Sequence, residues 1–282
     1  MRFFAGCRLS YELSGPGTLV FNVHAINSPN QRVLSEEFHV TNGGTNAGLY
    51  DEWTDPATQN RFVRVNAESG PLELRYRAEV ESAPLFADGQ NIGEIPPSAL
   101  PLHVMPFLYP SRYCESDRLV RLANDEFQNF LPGFSRVTAI CNYIYEHIAY
   151  QRGSSGSQTS AFDTVTERAG VCRDFAHLAI AFCRALGIPA RFVSGYAYGL
   201  EPPDFHACFE AFLSGKDGGA WYFFDATRLA PQTGYVRIGS GRDAADVSFA
   251  TLFGAIEFRG MEIIMQTLDG PPQFTTQAIA LG

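Results

Sequence analysis

The stretch AGVCRDFAHLAIAFCRALGIPARFVSGY, Ala169 to Tyr196, decides how the chain is read. From Cys172 to Leu186 its apolar residues fit a helix, which Gly187 closes and Pro189 keeps from resuming. ARFVSGY then has the composition of a strand. A cysteine thus opens a helix just past Gly170, which permits a sharp entry. Unpaired N–H groups and the macrodipole at a helix start stabilise negative charge, and the thiolate is the nucleophilic form of cysteine. The same N–H groups can hold the oxyanion of an acyl transfer. Cys183 makes the contrast: mid-helix among Ala181, Phe182 and Leu186, it is expected to be buried and inert.

A nucleophile of this kind needs a base and a group that orients the base. Downstream, His206 opens the apolar run HACFEAFL, and Asp225 ends the run WYFFD. The turn SGKDGG (214–219) between them predicts an antiparallel hairpin that brings the two side chains together on one face. An aspartate there is costly to bury without a partner. Cys172, His206 and Asp225 are therefore the expected catalytic residues. Plainer roles compete: a structural cysteine at a helix start, a wall histidine, an aspartate capping the next turn. Cys208 shares the His206 face by strand alternation and is the rival thiol, although it lacks a helix N-terminus. His177 lies inside the nucleophile helix and points elsewhere. Metal binding through Cys172, His177 and His206 is a weaker alternative; without a C-x-x-C pair, no metal is expected, nor any cofactor. Gln151, Gln158 and Thr159, in the loop before Cys172, are candidates for a second oxyanion donor, and nothing in the sequence chooses among them.

Working outward, the first part of the chain alternates as half-buried sheet does. In PLELRYRAEV, Leu72, Leu74, Tyr76, Ala78 and Val80 take one face and charged residues the other. TLVFNVHAI repeats this with Leu19, Phe21, Val23 and Ala25, and SGPG, NGG and ESG supply turns. Antiparallel strands with one wet face point to a small sandwich. EIPPSALPLHVMPFLYPS (94–111) carries too many prolines for a long helix and predicts an extended surface segment. Helical spacing then marks Asp117–Leu131, with Ser116 as N-cap, and Phe134–Tyr150. Strand-like runs follow the nucleophile helix, ending in MEIIMQTL. The expected division is a β-sandwich domain over 1–110 and an α+β domain over 111–282.

The net charge of −9 with no block of like charges disfavours nucleic acid as a partner. No apolar run approaches the roughly 20 residues of a membrane helix. FFAGC superficially resembles a lipoprotein cleavage site, but only six residues precede Cys7, and a signal sequence wants an apolar stretch of roughly 7–15 residues. No membrane association and a cytoplasmic location are expected, and the six cysteines are then expected to be free thiols. Oligomeric state leaves no mark in the sequence.

GVCRDFAHLAIAFCRALGIPARFVSGY, DFHACFEAFL, WYFFDATR and GRDAADVSFATLFG, in this order, resemble the bacterial transglutaminase-like domain. The strand-rich beginning, through PSRYCESDRL, is similar to the β-sandwich domain that precedes that core in bacterial members. The resemblance implies a papain-like core, with a nucleophile helix packed on an antiparallel sheet, and Cys172 as nucleophile, His206 as general base and Asp225 as orienting acid. Asp174, Gly241, Arg242 and Asp243 match further motif positions and are expected to shape the site. One departure is Cys208, where the family usually has tryptophan. The implied activity is cysteine acyl transfer on a peptide or protein substrate through a thioester, preferably hydrolytic. The alternatives are a protein-glutamine transglutaminase and an interaction module with a vestigial triad.

Overall fold

A computed structural model of the chain describes residues 1–46, 50–215 and 218–282. Residues 216 and 217, within the SGKDGG turn, lie outside the described residues.

The sandwich forms where alternation is cleanest. Strand Gly70–Ser82 buries Leu72, Leu74, Tyr76, Ala78 and Val80, as its pattern requires. It pairs antiparallel with Arg2–Leu13, Cys7 opposite Tyr76, and with Gln31–Asn42 on its other edge. A second sheet, containing Gly17–Phe21, Arg61–Ala67 and Tyr50–Thr54, packs its Leu19, Phe21, Val63 and Val65 into the same core. The C-terminal part of the chain completes both layers. Ala250–Phe253 adds to Gly17–Phe21, and Ile256–Thr267 adds to Arg2–Leu13.

The second core is built on a six-stranded sheet, in the order Tyr235–Gly241, Ala190–Ala197, Phe205–Leu213, Ala220–Phe224, Ala278–Ala280 and Leu85–Ala87. Among the described residues, four α-helices belong to this part: α1 (Val120–Phe127), α2 (Phe134–His147), α3 (Ala161–Glu167) and α4 (Cys172–Ala185). Helix α4 is buried nearly all round and packs Phe175, Leu178 and Phe182 into one cluster with Phe192, Phe209 and Phe224 of the sheet.

The chain therefore crosses the expected division at 110/111 in both directions. Residues 250–267 serve the sandwich, and Leu85–Ala87 forms an edge of the other sheet. Hydrogen bonds tie the two parts together: Tyr196 Oη donates to Val23 O (2.7 Å), and the Asn60 side chain bonds Ser240 N and O (2.9 and 2.8 Å). Gln31 does the same for Arg237, accepting its N–H at 2.7 Å and donating to its carbonyl at 2.9 Å.

Several local expectations differ from the structure. The proline-rich connection coils into short 3₁₀ turns, Gly89–Asn91, Pro97–Ala99 and Leu102–Leu108, and lodges Leu100 and Val104 against Phe212. Proline's fixed φ suits such turns as well as extended chain. The helix expected over 117–131 shortens to α1, behind a 3₁₀ turn at Ser116–Arg118. Helix α3 follows directly on the polar loop 151–160, and the Ser160–Asp163 capping box marks its start. Strand Tyr235–Gly241 shows no alternation because every residue in it is buried.

Candidate active site

Cys172 occupies the first position of α4, where its own N–H has no acceptor within the helix. The start of the helix is fixed by Asp174, fully buried, whose Oδ2 accepts the Val171 N–H at 2.9 Å while Oδ1 meets the Arg173 guanidinium at 3.1 Å. Gly170 is needed for close approach: a Cβ there would sit 2.8 Å from Cβ of Asp174. That crowding, rather than a sharp turn, accounts for the glycine.

The hairpin delivers His206 and Asp225. Phe209 pairs with Phe224 and Leu213 with Ala220. The strand ends at Phe224, and the residues just beyond it lie beside His206, Thr227 Oγ1 being 3.5 Å from its Nε2. His206 Nε2 and Asp225 Oδ2 lie 2.8 Å apart, both residues buried. Asp225 Oδ1 accepts the Thr227 N–H (2.8 Å) and hydroxyl (2.7 Å). Tyr235 Oη sits between the carbonyls of His206 (2.9 Å) and Val193 (3.2 Å), pinning the strand beneath the ring. Thr227 and Tyr235 were not singled out in the sequence; an Asp-x-Thr turn closing a strand is the signal for the first, while only the tertiary structure brings in the second.

The electrostatics follow from this packing. Burial disfavours a charged His206 ring, but the sulfur of Cys208, the Asp225 carboxylate and hydrogen bonds to Asp225 and Cys172 outweigh it and raise the ring well above its usual range. Burial likewise works against ionised Asp225, yet His206 and the two Thr227 donors hold it below the ordinary carboxylate range. Cys172 and the His206 ring line the same cleft.

The two candidate thiols are separated by access. Cys208 lies close to both His206 and Asp225, the ligand atoms all within 4.8 Å of one another. It is 1% exposed, packs with Val193, Phe223 and Tyr235, and burial pushes it up to about 12. Cys172 is half-buried and lines a cleft of about 840 Å³ together with His206. His206, Cys208 and Asp225 are chemically a set that a soft cation would accept, but Asp225 already uses both oxygens on His206 and Thr227.

His177 plays no part with His206. Fully buried and stacked on Tyr113, its Nε2 accepts the Ala244 N–H at 3.1 Å, which removes the Cys172–His177–His206 metal alternative. Gln151, Gln158 and Thr159, the candidate oxyanion donors, are not among the residues lining the cleft; Gln158 Oε1 accepts from Arg112, Thr159 Oγ1 from Gly156 N, and the Gln151 N–H donates to Gly170 O. Tyr150 and Arg152 of the same loop line the cleft instead. Asp243 accepts the Tyr113 and Ala245 N–H groups, and Arg242 pairs with Asp246, so this segment is held as a strap beside the cleft. All six cysteines are free. Among the described residues no helix is long and apolar enough to cross a membrane.

Comparison with known proteins agrees with this architecture. The profile of the transglutaminase-like superfamily matches residues 121–226, and that of the bacterial transglutaminase N-terminal domain matches residues 1–97. Among solved structures, a candidate cysteine protease from Cytophaga hutchinsonii is 41% identical, with a TM-score of 0.92 over 100% of this chain and 98% of that one. An uncharacterised protein of Mycobacterium leprae is 32% identical over 128 residues, 44% of this chain and 45% of its own length. One of Mycobacterium tuberculosis is 36% identical over 134 residues, 42% of each chain. The matches take in less than half the length of these curated relatives.

Proposed function

Because the chain belongs to the transglutaminase-like superfamily and carries the bacterial N-terminal domain, we propose that it is a cysteine-nucleophile acyl-transfer enzyme acting on peptide or carboxamide bonds of a peptide or protein. The observation that carries this reading is a half-buried Cys172 at a helix start, lining one cleft with a histidine that Asp225 holds at 2.8 Å.

Nε2 of His206 is committed to Asp225, so Nδ1 is the nitrogen left for Cys172. Transfer of the Cys172 proton to His206, whose ring is favoured in its protonated form, gives an imidazolium–thiolate pair. The thiolate attacks the carbonyl carbon, and the N–H of Cys172 receives the oxyanion. Collapse of the tetrahedral intermediate breaks the C–N bond as His206 gives its Nδ1 proton to the departing amine, leaving a thioester and a neutral ring. Water then attacks the thioester and yields its proton to His206, releasing the acid and restoring the pair. Cys172 keeps solvent access within an open cleft, which favours hydrolysis over transfer to a second amine. Free thiols suit a reducing compartment, and the cytoplasm is the location proposed.

The test is iodoacetamide alkylation against pH, with residue-level mass spectrometry, beside peptide-library cleavage by wild type and Cys172→Ala. Alkylation of Cys172 faster than of the five buried cysteines, together with cleavage lost in the variant, is expected. Alkylation no faster than at the other cysteines would leave an interaction module with a vestigial triad. Amine incorporation without cleavage would mark a transglutaminase.

A further inference from the structure

We infer that the acyl part of the substrate is a peptide segment with a large apolar, preferably aromatic, side chain beside the scissile carbonyl, and that Phe249 is the residue selecting it. This rests on the acyl-transfer reading above.

Two cavities meet at His206. The larger, about 840 Å³, contains Cys172; the smaller, about 540 Å³, shares Tyr150, Arg152, Asp204, Phe205 and His206 with it but does not include Cys172. The acyl carbon must bond to the sulfur, whereas the leaving nitrogen needs only the proton on His206. The acyl group therefore lies in the larger cavity and the amine departs toward the smaller.

The chemistry of the two differs. Arg152 and Asp204 sit on the wall the two share, and the smaller alone adds the charged Glu201. The larger alone adds Phe192, Ile238, Val247, Phe249 and Leu252. Phe249 and Leu252 remain 36% and 37% exposed, and Phe249 stacks on Phe205 at 5.0 Å. Arg173, at the edge, is already bonded to Asp174, Ser155 and the Gly156 carbonyl. A cavity of this size exceeds what a glutamine side chain fills and matches an apolar ligand group with flanking peptide.

The wall is also rigid. Ala244 N–H bonds His177 of α4, the Phe249 carbonyl accepts the Asn22 N–H at 3.1 Å, and Ala250 pairs with Phe21. The strap is thus anchored at one end to the nucleophile helix and at the other to the sandwich, so the sandwich holds the selecting wall beside Cys172.

The test compares peptidyl chloromethyl ketones that differ only in the terminal residue, phenylalanine or glycine, each rate on Cys172 divided by that of iodoacetamide. The phenylalanine probe is expected to react about 30-fold faster, the gain from burying an aromatic side chain. Phe249→Ala should cut that preference about tenfold and Phe249→Leu should restore part of it. Equal normalised rates for the two probes, or a Phe249→Ala change that slows both alike, overturns the subsite while leaving the acyl-transfer reading intact. Failure of iodoacetamide to single out Cys172 overturns that reading and the subsite with it.

Discussion

Asp174→Ala should loosen the start of α4 and slow the chemistry at Cys172 together. The carboxylate is the acceptor for the Val171 N–H at 2.9 Å, and no solvent reaches it. Losing such an acceptor at a helix start costs about 1 kcal/mol, and an unsatisfied buried N–H adds about 1–3 kcal/mol. With some relaxation, a total of about 2–3 kcal/mol is expected. At a urea slope of about 3 kcal/mol/M, the unfolding midpoint falls by nearly 1 M. Fraying moves the Cys172 N–H and sulfur relative to His206, so normalised alkylation and peptide turnover fall as well. Asp174→Asn retains an acceptor oxygen but not the charge that meets Arg173, and should lie between the two. A midpoint within about 0.3 M of wild type for Asp174→Ala, with alkylation unaltered, would refute the view that this carboxylate fixes the helix start.

Thr227→Val removes the hydroxyl that bonds Asp225 at 2.7 Å but keeps the backbone donor. Since that bond helps hold Asp225 low, its loss lets the carboxyl titrate at higher pH, so the acid limb of the pH–rate profile moves upward and kcat/KM drops about tenfold; an unmoved limb counts against the role. His24, buried between the rings of Phe38 and Tyr76, is pushed down to about 4 by burial and by Arg61, against Glu36. The folded protein resists protonation there, so stability is full above the usual histidine range near pH 6.5. It should fall by about 3 kcal/mol as the pH drops from there toward 4; His24→Leu should flatten that slope in urea titrations, and an equally steep variant would refute the assignment. Glu210, fully buried, bridges Arg191 at 2.6 Å and Arg237 at 3.3 Å. Glu210→Gln should cost about 3–5 kcal/mol in chemical denaturation by leaving the guanidinium groups uncompensated, and a loss below about 1 kcal/mol would show that the pair is not maintained by its charge.

The sequence by itself determined what periodicity and chain punctuation can encode. The extent of α4 follows from its helical apolar run, Gly187 and Pro189. The inward face of Gly70–Ser82 follows from strict alternation, and the His206–Asp225 pairing from two apolar runs with a turn between them. Strand Tyr235–Gly241 escaped notice because burial on both sides erases alternation, and α3 because it spans only seven residues. What only the tertiary structure decided depends on contacts distant in sequence. Cys208, as close to His206 as alternation allows, is enclosed by Val193, Phe223 and Tyr235 and cut off from substrate, whereas Cys172 opens to the cleft. His177 serves Ala244 instead of the chemistry, and residues 250–267 return to complete the sandwich. Local patterns fix which face of an element is apolar; which thiol meets solvent is settled by packing from elements far along the chain.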